Sequence, residues 1–193
     1  LIAGVDEAGR GPLAGPVVAS AVVLPNSEKI EGLRDSKKVP EKEREGLFYK
    51  VMDCCLDVGI GIVEADDIDR INILQATKRA MEKAVEDLSM EPDLLLIDAV
   101  TLPSLQIRQL SPIKGESVSA SIAAASIIAK VVRDKLMQQY HLIYPEYGFK
   151  KHKGYCTKDH MEKLMQHGPC QIHRKTFEKV MSLTLPFSGR KTT

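Results

Sequence analysis

The chain has 193 residues, a formal net charge of +1 and a hydrophobic fraction of 44%. This length suits one domain with a sizeable core, and the composition is that of an ordinary globular protein. No apolar run reaches the roughly 20 residues that cross a bilayer, and acidic residues come too early for a signal peptide. The four cysteines include no C-x-x-C pair, so no disulfide framework is indicated. We expect a soluble, cytoplasmic monomer.

The hydrophobic pattern predicts a series of strands and helices. Short β-branched runs bounded by Gly and Pro indicate strands, and apolar residues spaced by three and four indicate helices. In chain order, the predicted elements are strands over 1–8 and 16–24, a helix over 39–56, a strand over 57–65, a helix over 68–89, strands over 92–99 and 104–112, a helix over 117–140, and a basic helical tail.

The connections between these elements decide the expected sheet. The first two strands are joined by a short link, which favours antiparallel pairing, whereas strands reached through long helices can be parallel. The run PDLLLIDA over 92–99 is apolar almost throughout, so we expect a strand covered on both faces. The Ala-rich helix over 117–140 can lie close to a sheet. The sequence therefore predicts an α/β fold with a mixed sheet flanked by helices.

Charge is distributed unevenly along the chain. Residues 1–129 contain 14 basic and 21 acidic residues, whereas residues 130–179 contain 11 basic and 5 acidic residues and all five histidines. An acidic body with a basic C-terminal part can follow a polyanion, although a solvated helical surface gives the same pattern.

Acidic residues stand at the predicted strand ends. Asp6 and Glu7 end the first strand, Asp98 ends the apolar strand, and Glu116 precedes the Ala-rich helix. Carboxylates brought together repel one another and need a counter-charge, and oxygen ligands suit Mg²⁺ and Mn²⁺. Neighbouring residues on a strand point to opposite faces, so Asp6 and Glu7 share one site only if the strand ends or bulges there. The alternative for any single acid is a structural cap or a surface charge.

Two other kinds of site are considered and disfavoured. The stretch VDEAGRGPLAGP, residues 5–16, spaces its glycines as G-x-G-x-x-x-G and contains Pro12 and Pro16, which disfavours a nucleotide-binding loop. A zinc site in the tail is a weaker alternative, because the candidate ligands lack paired C-x-x-C spacing. Those candidates are His152, Cys156, His160, His167, Cys170 and His173.

Five segments together resemble the type 2 ribonuclease H family, in particular its bacterial ribonuclease HII branch. They are GVDEAGRGPLAGPVVASAVVL, LRDSKK, LLIDA, IKGESVSASIAAASIIAKVVRD and YPEYGFKKHKGYCTKDHMEKLMQHGPCQIHRKTF. The resemblance implies an RNase H-like fold: a five-stranded mixed sheet flanked by helices, with a C-terminal helical extension. It implies a catalytic domain over 1–140 and a basic extension over 141–193 that helps to bind the duplex.

The same resemblance implies the activity. Such enzymes cut the RNA strand of RNA/DNA hybrids, and they cut 5′ of single ribonucleotides in duplex DNA. They leave 3′-hydroxyl and 5′-phosphate ends and use two Mg²⁺ or Mn²⁺ ions. A non-catalytic hybrid-binding module and a DNA-junction nuclease of the same fold remain alternatives.

The resemblance also implies which residues form the site, through the positions that match the motifs of the family. The family carboxylates fall on Asp6, Glu7, Asp98 and Glu116. The motif that reads the 2′-hydroxyl falls on Gly9, Arg10 and Gly11, and the tyrosine that packs on the sugar falls on Tyr155. For Arg10, an ion pair with a nearby acid is the alternative to a phosphate contact. For Tyr155, the alternative is packing in the core.

One position departs from the family pattern. The fourth acid is usually Asp in a K-G-D context, but here it is Glu116, whose extra methylene can alter a Mg²⁺ shell that demands near-ideal geometry. Asp134 is the fallback acid, although its position four residues after Lys130 favours a helical ion pair.

Basic residues are expected to position the duplex through its phosphates. The candidates are Lys37, Lys38, Lys151, Lys153 and Arg174. A sliding-clamp contact through the tail LTLPFSGR, residues 183–190, is a weaker expectation.

Overall fold

The protein is described by a computed structural model that covers residues 1–25, 30–34, 36, 39–98, 100–112 and 119–184. Within these residues the sheet has five strands, in the order β3-β2-β1-β4-β5. β1 pairs with β2 and β2 with β3 in antiparallel fashion, whereas β4 pairs in parallel with β1 and β5. The expected mixed sheet is therefore confirmed. Its strands are β1 Ile2–Ala8, β2 Val17–Val23, β3 Asp57–Val63, β4 Leu94–Ile97 and β5 Arg108–Leu110.

Helices cover both faces of the sheet. On one face the long α2 packs against β1, β2 and β3, and on the other face the Ala-rich α3 packs against β1 and β2. Because both faces are covered, every residue of β2 is buried. The described helices are α1 Glu41–Cys54, α2 Ala65–Glu86, α3 Ala120–Ile143, α4 Phe149–His152, α5 Lys158–His167 and α6 Glu178–Thr184, with a 3-10 helix at Pro145–Tyr147. None of the described helices is long and apolar enough to cross a membrane.

The helix α3 approaches β1 closely because small residues face each other. A Cβ atom on Gly4 would lie 2.1 Å from the main-chain carbon of Ser121, so only glycine fits at this position. Ser119 caps the helix, its hydroxyl oxygen accepting a hydrogen bond from the Ile122 amide. This contact fixes the start of α3 over the centre of the sheet.

Three details differ from the sequence-based expectations. In β4, Leu95 and Ile97 are fully buried but Leu94 and Leu96 are only partly buried, so cover on both faces is incomplete. The last strand is limited to Arg108–Leu110. α2 begins at Ala65 and is interrupted at Asn72, which has φ 66° and whose side-chain oxygen re-caps the following turn.

The C-terminal part of the chain has a small core of its own, which it shares with the loop after β1. Apolar side chains from this loop, from the end of α3 and from residues 147–180 pack together. The extension is therefore attached to the segment that follows the two N-terminal acids. The buried members are Leu13, Ala14, Met137, Tyr147, Phe149, Leu164, Ile172 and Val180.

A glycine in the edge strand β3 is expected to be essential for the contact with α2. A Cβ atom on Gly61 would lie 1.9 Å from the carbonyl oxygen of Ala80. This oxygen belongs to the helix backbone and cannot move away without distorting α2. We expect Gly61→Ala to lower the free energy of unfolding by about 1 to 3 kcal/mol. Urea denaturation measures the change.

The matched control is Gly46→Ala in α1, where an added Cβ meets nothing within 4 Å. This exposed helical position should gain about 0.5 to 1 kcal/mol. Equal effects at Gly61 and Gly46 would contradict the close approach of α2 to β3.

Candidate active site

Two carboxylates meet at one edge of the sheet. β1 and β4 are parallel and their last paired residues are Val5 and Ile97, so Asp6 and Asp98 follow side by side. The Asp98 amide donates a hydrogen bond to the Val5 carbonyl oxygen at 3.3 Å, which continues the pairing as far as the acid. The structure therefore brings together the two acids that the sequence places at separate strand ends.

The Asp6 carboxyl is buried, with 5% of its surface exposed. Burial raises its pKa to about 8, and the neighbouring charges of Glu7 and, more weakly, Asp98 act in the same direction. Hydrogen bonds from the Glu7 amide and from the Ser126 side chain favour the charged form but do not offset the burial. Burial and the neighbouring acids therefore disfavour a charged Asp6, and a nearby cation would lower this pKa and stabilise the carboxylate.

Strand alternation predicts that the Glu7 side chain points to the face opposite Asp6. The pairing of β1 with β2 is unbroken through Ala8, without the bulge that would turn both side chains to one side. Ala3 and Val5 belong to the core under α2, so the alternation directs Glu7 toward that face. Its carboxylate lies 3.6 Å from the guanidinium of Arg10, the ion pair considered as the alternative for Arg10.

The segment 9–16, hereafter the glycine loop, follows directly after β1. Gly9 and Gly15 have φ values of +102° and +84°, which residues with side chains rarely adopt. Main-chain hydrogen bonds tie the loop to the C-terminal extension, from the Leu13 amide to Gly154 and from the Gly15 amide to Ile172. The loop is thus held on a fixed path beside the acids.

Tyr155 lies next to the glycine loop. A Cβ atom on Gly11 would lie 4.0 Å from the Tyr155 ring, so the two residues are neighbours in space. The tyrosine is 44% exposed and therefore is not packed in the core. The ring is flanked by the cationic groups of Lys130 and Arg133, each 5.9 Å from its centroid. This arrangement gives the loop an exposed aromatic surface at its edge.

The expectation that Arg174 contacts phosphate is wrong. Its side chain is fully buried, and its guanidinium donates hydrogen bonds only to main-chain oxygens of the glycine loop. Burial, followed by the charge of Arg133, lowers the pKa of Arg174 to about 9. Lys153 is also mostly buried, and its ammonium group lies 3.3 Å from Glu41 instead of facing open solvent.

Lys151 is exposed, as expected for a phosphate contact. It lines a groove of about 530 Å³ together with Lys150, Lys153, Gln138 and His141. The predicted phosphate contacts Lys37 and Lys38, the predicted fourth carboxylate Glu116 and the tail from 185 onward lie outside the described residues.

The tail histidines form a packed cluster. The Nε2 atoms of His160 and His173 are 3.1 Å apart, and the rings of His152 and His160 stack at 4.3 Å. Burial lowers the pKa of all three, that of His173 to about 4, so neutral rings are favoured at pH 7. Across the part of the chain that the structure describes, no three His, Cys, Asp or Glu side chains are placed to hold a metal ion. This geometry does not support the zinc alternative.

The donor chemistry at the sheet edge still suits Mg²⁺. Asp6 and Asp98 offer carboxylate oxygens, and Mg²⁺ in phosphate-processing sites is usually held by only one or two carboxylates, with waters and substrate phosphates completing its shell.

Sequence reasoning missed several residues around the site. Arg133 is fully buried in α3. The Ser126 hydroxyl interacts with Asp6, accepts a hydrogen bond from the Ser36 amide and donates one to the Ser36 hydroxyl oxygen. Arg133 lies four residues after Ala129 and four before Met137, on the buried face of α3. This helical spacing is the sequence feature that indicates a buried Arg133. Asp134 does form the expected pair with Lys130, but it is buried and also contacts Arg44.

The histidine cluster predicts sensitivity to acid. An unfolded imidazole has a pKa near 6.5, whereas His173 in the folded chain has a pKa of about 4. The unfolded state therefore binds more protons between these values, and stability is expected to fall as the pH falls from about 6.5 toward 4. Urea denaturation at pH 7, 6 and 5 measures this slope.

Replacing His173 by Gln keeps polar atoms at the position but removes its titration. The slope of the unfolding free energy against pH should decrease by up to about 1.4 kcal/mol per pH unit. Between pH 7 and 8 the slopes of the two proteins should coincide. Identical slopes below pH 6.5 would contradict the lowered pKa of His173.

Comparisons with known proteins agree with this geometry. The family model described as Ribonuclease HII matches residues 3–180. The chain is 60% identical over 182 residues to the ribonuclease HII of Bacillus subtilis, covering 94% of this chain and 71% of that protein. The crystal structure of ribonuclease H2 from Pyrococcus horikoshii superposes with a TM-score of 0.77 at 29% identity, covering 94% of this chain and 96% of that one.

A more distant solved structure shares the fold. The ribonuclease HIII designated Bst, crystallised in complex with Mn²⁺, has a TM-score of 0.76 at 19% identity and covers 94% of this chain and 68% of its own.

Proposed function

The chain belongs to the ribonuclease HII family, and from this premise we propose how its site selects and cuts a substrate. The protein is an endoribonuclease of the ribonuclease H type. We propose that it cuts the RNA strand of RNA/DNA hybrids and the 5′ side of single ribonucleotides in duplex DNA. The products would carry 3′-hydroxyl and 5′-phosphate ends.

The observation that carries this proposal is the convergence of three features at one sheet edge. Asp6 and Asp98 lie side by side, the glycine loop follows Asp6 within three residues, and the exposed ring of Tyr155 stands beside Gly11. A phosphate near the carboxylates would thus have its sugar near the loop and the tyrosine. Such a combination suits a phosphodiester next to a ribose.

Ribonuclease H enzymes depend on metal, and the proposed ions here are Mg²⁺ or Mn²⁺. Asp6 and Asp98 would hold them, and Glu7 and Glu116 are the further carboxylates that would complete the shells. When bound, two such ions supply an activated water and stabilise the departing 3′ oxygen. The burial of Asp6 supports this role, because a carboxylate with a raised pKa gains from a nearby cation.

The chain's own residues would orient the substrate. Gly11 is exposed and leaves the loop backbone open to close approach, and the 2′-hydroxyl is the group that distinguishes RNA from DNA. Arg10 is half-exposed and pairs with Glu7, so it can exchange that partner for a phosphate. Lys151 and its groove would contact the duplex backbone without reading its sequence.

The test uses duplex DNA that carries one ribonucleotide, incubated with Mg²⁺ or Mn²⁺ and with an EDTA control. We expect a metal-dependent nick on the 5′ side of the ribonucleotide. Asp98→Asn should lower the cleavage rate at least about 100-fold while the duplex still binds, because the removed charge serves the chemical step.

Asp93→Asn is the matched control, since Asp93 is an exposed carboxylate just before the same strand. It should cleave like the unmodified protein. Binding without a nick would indicate a non-catalytic hybrid-binding module, and cleavage of all-DNA junctions would indicate a junction nuclease.

Tyr155 should act through its ring and not through its hydroxyl. Stacking of an aromatic ring on a nucleotide is worth about 1 to 3 kcal/mol, so Tyr155→Ala should lower kcat/KM for the single-ribonucleotide duplex by about 5- to 100-fold. Tyr155→Phe keeps the ring and should stay within about threefold of the unmodified protein. An equal loss in both variants would argue against stacking.

A further inference from the structure

Arg174 makes hydrogen bonds to four different carbonyl groups of the glycine loop. Its Nη2 donates to Gly9 O at 2.6 Å, and its Nη1 donates to Arg10 O at 3.0 Å and to Pro12 O at 2.8 Å. Nε and Nη2 both donate to Gly15 O, at 3.0 and 2.9 Å. Among the described residues, Arg174 forms no ion pair with a carboxylate, so its hydrogen-bonding capacity is spent on the loop backbone.

The carbonyl directions set the amide directions. A trans peptide is planar, so the C=O of one residue and the N–H of the next point in opposite directions. The peptides after Gly9 and Arg10 are trans, and both of their carbonyls point toward the buried guanidinium. The N–H groups of Arg10 and Gly11 must therefore point away from Arg174. Arg10 and Gly11 are exposed residues, whereas Gly9 is buried.

Two further sets of contacts fix the main chain beside Arg174 and the loop itself. The main chain beside Arg174 is fixed by Asp69 in α2, whose carboxylate accepts hydrogen bonds from the Lys175 and Thr176 amides. Arg133 supports the loop from α3 by donating to Ala14 O and Pro16 O at 3.1 and 3.0 Å. The loop backbone is thus clamped between Arg133 of α3 and Arg174 of the C-terminal extension, and Asp69 of α2 anchors the segment that follows Arg174.

We propose that Arg174 is a positioning residue that aims the Arg10 and Gly11 amides at the ribose 2′-hydroxyl. This inference rests on the proposed function of the glycine loop. Arg174 would never touch the substrate. It would determine selectivity for ribonucleotides by orienting two peptide groups that the substrate meets, whereas the phosphate contacts would not depend on it.

Arg174→Lys is the informative change. Lysine keeps the positive charge but presents one donor centre, which cannot reach carbonyls spread from Gly9 to Gly15. Two quantities are measured below the unfolding temperature: kcat/KM for the single-ribonucleotide duplex, and the inhibition constant of a sequence-matched all-DNA duplex used as competitor. We expect kcat/KM to fall by at least about tenfold, the effect of roughly one well-formed hydrogen bond, with the inhibition constant unchanged within about twofold.

The control is Arg79→Lys, the same substitution at an exposed position of α2, which should alter neither quantity. An unchanged kcat/KM in Arg174→Lys would overturn the inference. Parallel losses of kcat/KM and of all-DNA binding would also overturn it, because they indicate a general structural defect. If the unmodified protein fails to nick the ribonucleotide duplex, the proposed function itself fails, which is a separate outcome.

A milder variant keeps the proposal testable if Arg174→Lys does not fold. Asp69→Ala removes the carboxylate that anchors the main chain just after Arg174. Asp69 is only partly buried, so this change should disturb folding less. It should produce the same selective loss of kcat/KM at a smaller size. Unchanged kcat/KM in a folded Asp69→Ala protein would count against the clamp.

Discussion

The burial of two guanidinium groups against main-chain carbonyls is the constraint on which this site depends. Arg133 and Arg174 are both fully buried, and burying an arginine without hydrogen-bond partners would be very costly. The glycine loop supplies most of those partners, so the loop and the arginines require each other. Because Arg133 belongs to α3 and Arg174 to the C-terminal extension, the same interaction joins the sheet domain to the extension.

A second electrostatic feature stands at the end of β1. Asp6 is buried beside other carboxylates, which raises its pKa, while a few residues later the loop carbonyls surround buried cations. The short distance along the chain between these two environments links the acids to the loop. A change in the loop backbone is therefore expected to alter the surroundings of Asp6. The positions of Asp6 and Asp98 themselves are fixed by strand pairing.

Much of the architecture follows from local sequence patterns. The order of strands and helices, the antiparallel start and the Ala-rich helix were predictable, because each depends on periodicity or on a short connection. The break of α2 at Asn72 was not, since the side-chain hydrogen bonds that re-cap the helix there leave no mark on a periodic pattern. The incomplete cover of β4 likewise depends on which helices reach it.

The sequence by itself determined the chemical types at the site: the acids at the strand ends, the glycines beside them and the tyrosine in a basic stretch. The tertiary structure decided how they are used. Strand pairing continues unbroken past Asp6 and Glu7 and predicts opposite directions for their side chains, yet the Glu7 charge still raises the pKa of Asp6. The tertiary structure also buried the side chain of Arg174. The positive charge of Arg174 by itself indicated a phosphate contact. Only the folded backbone shows that inward-facing carbonyl groups accept hydrogen bonds from every donor of its buried guanidinium.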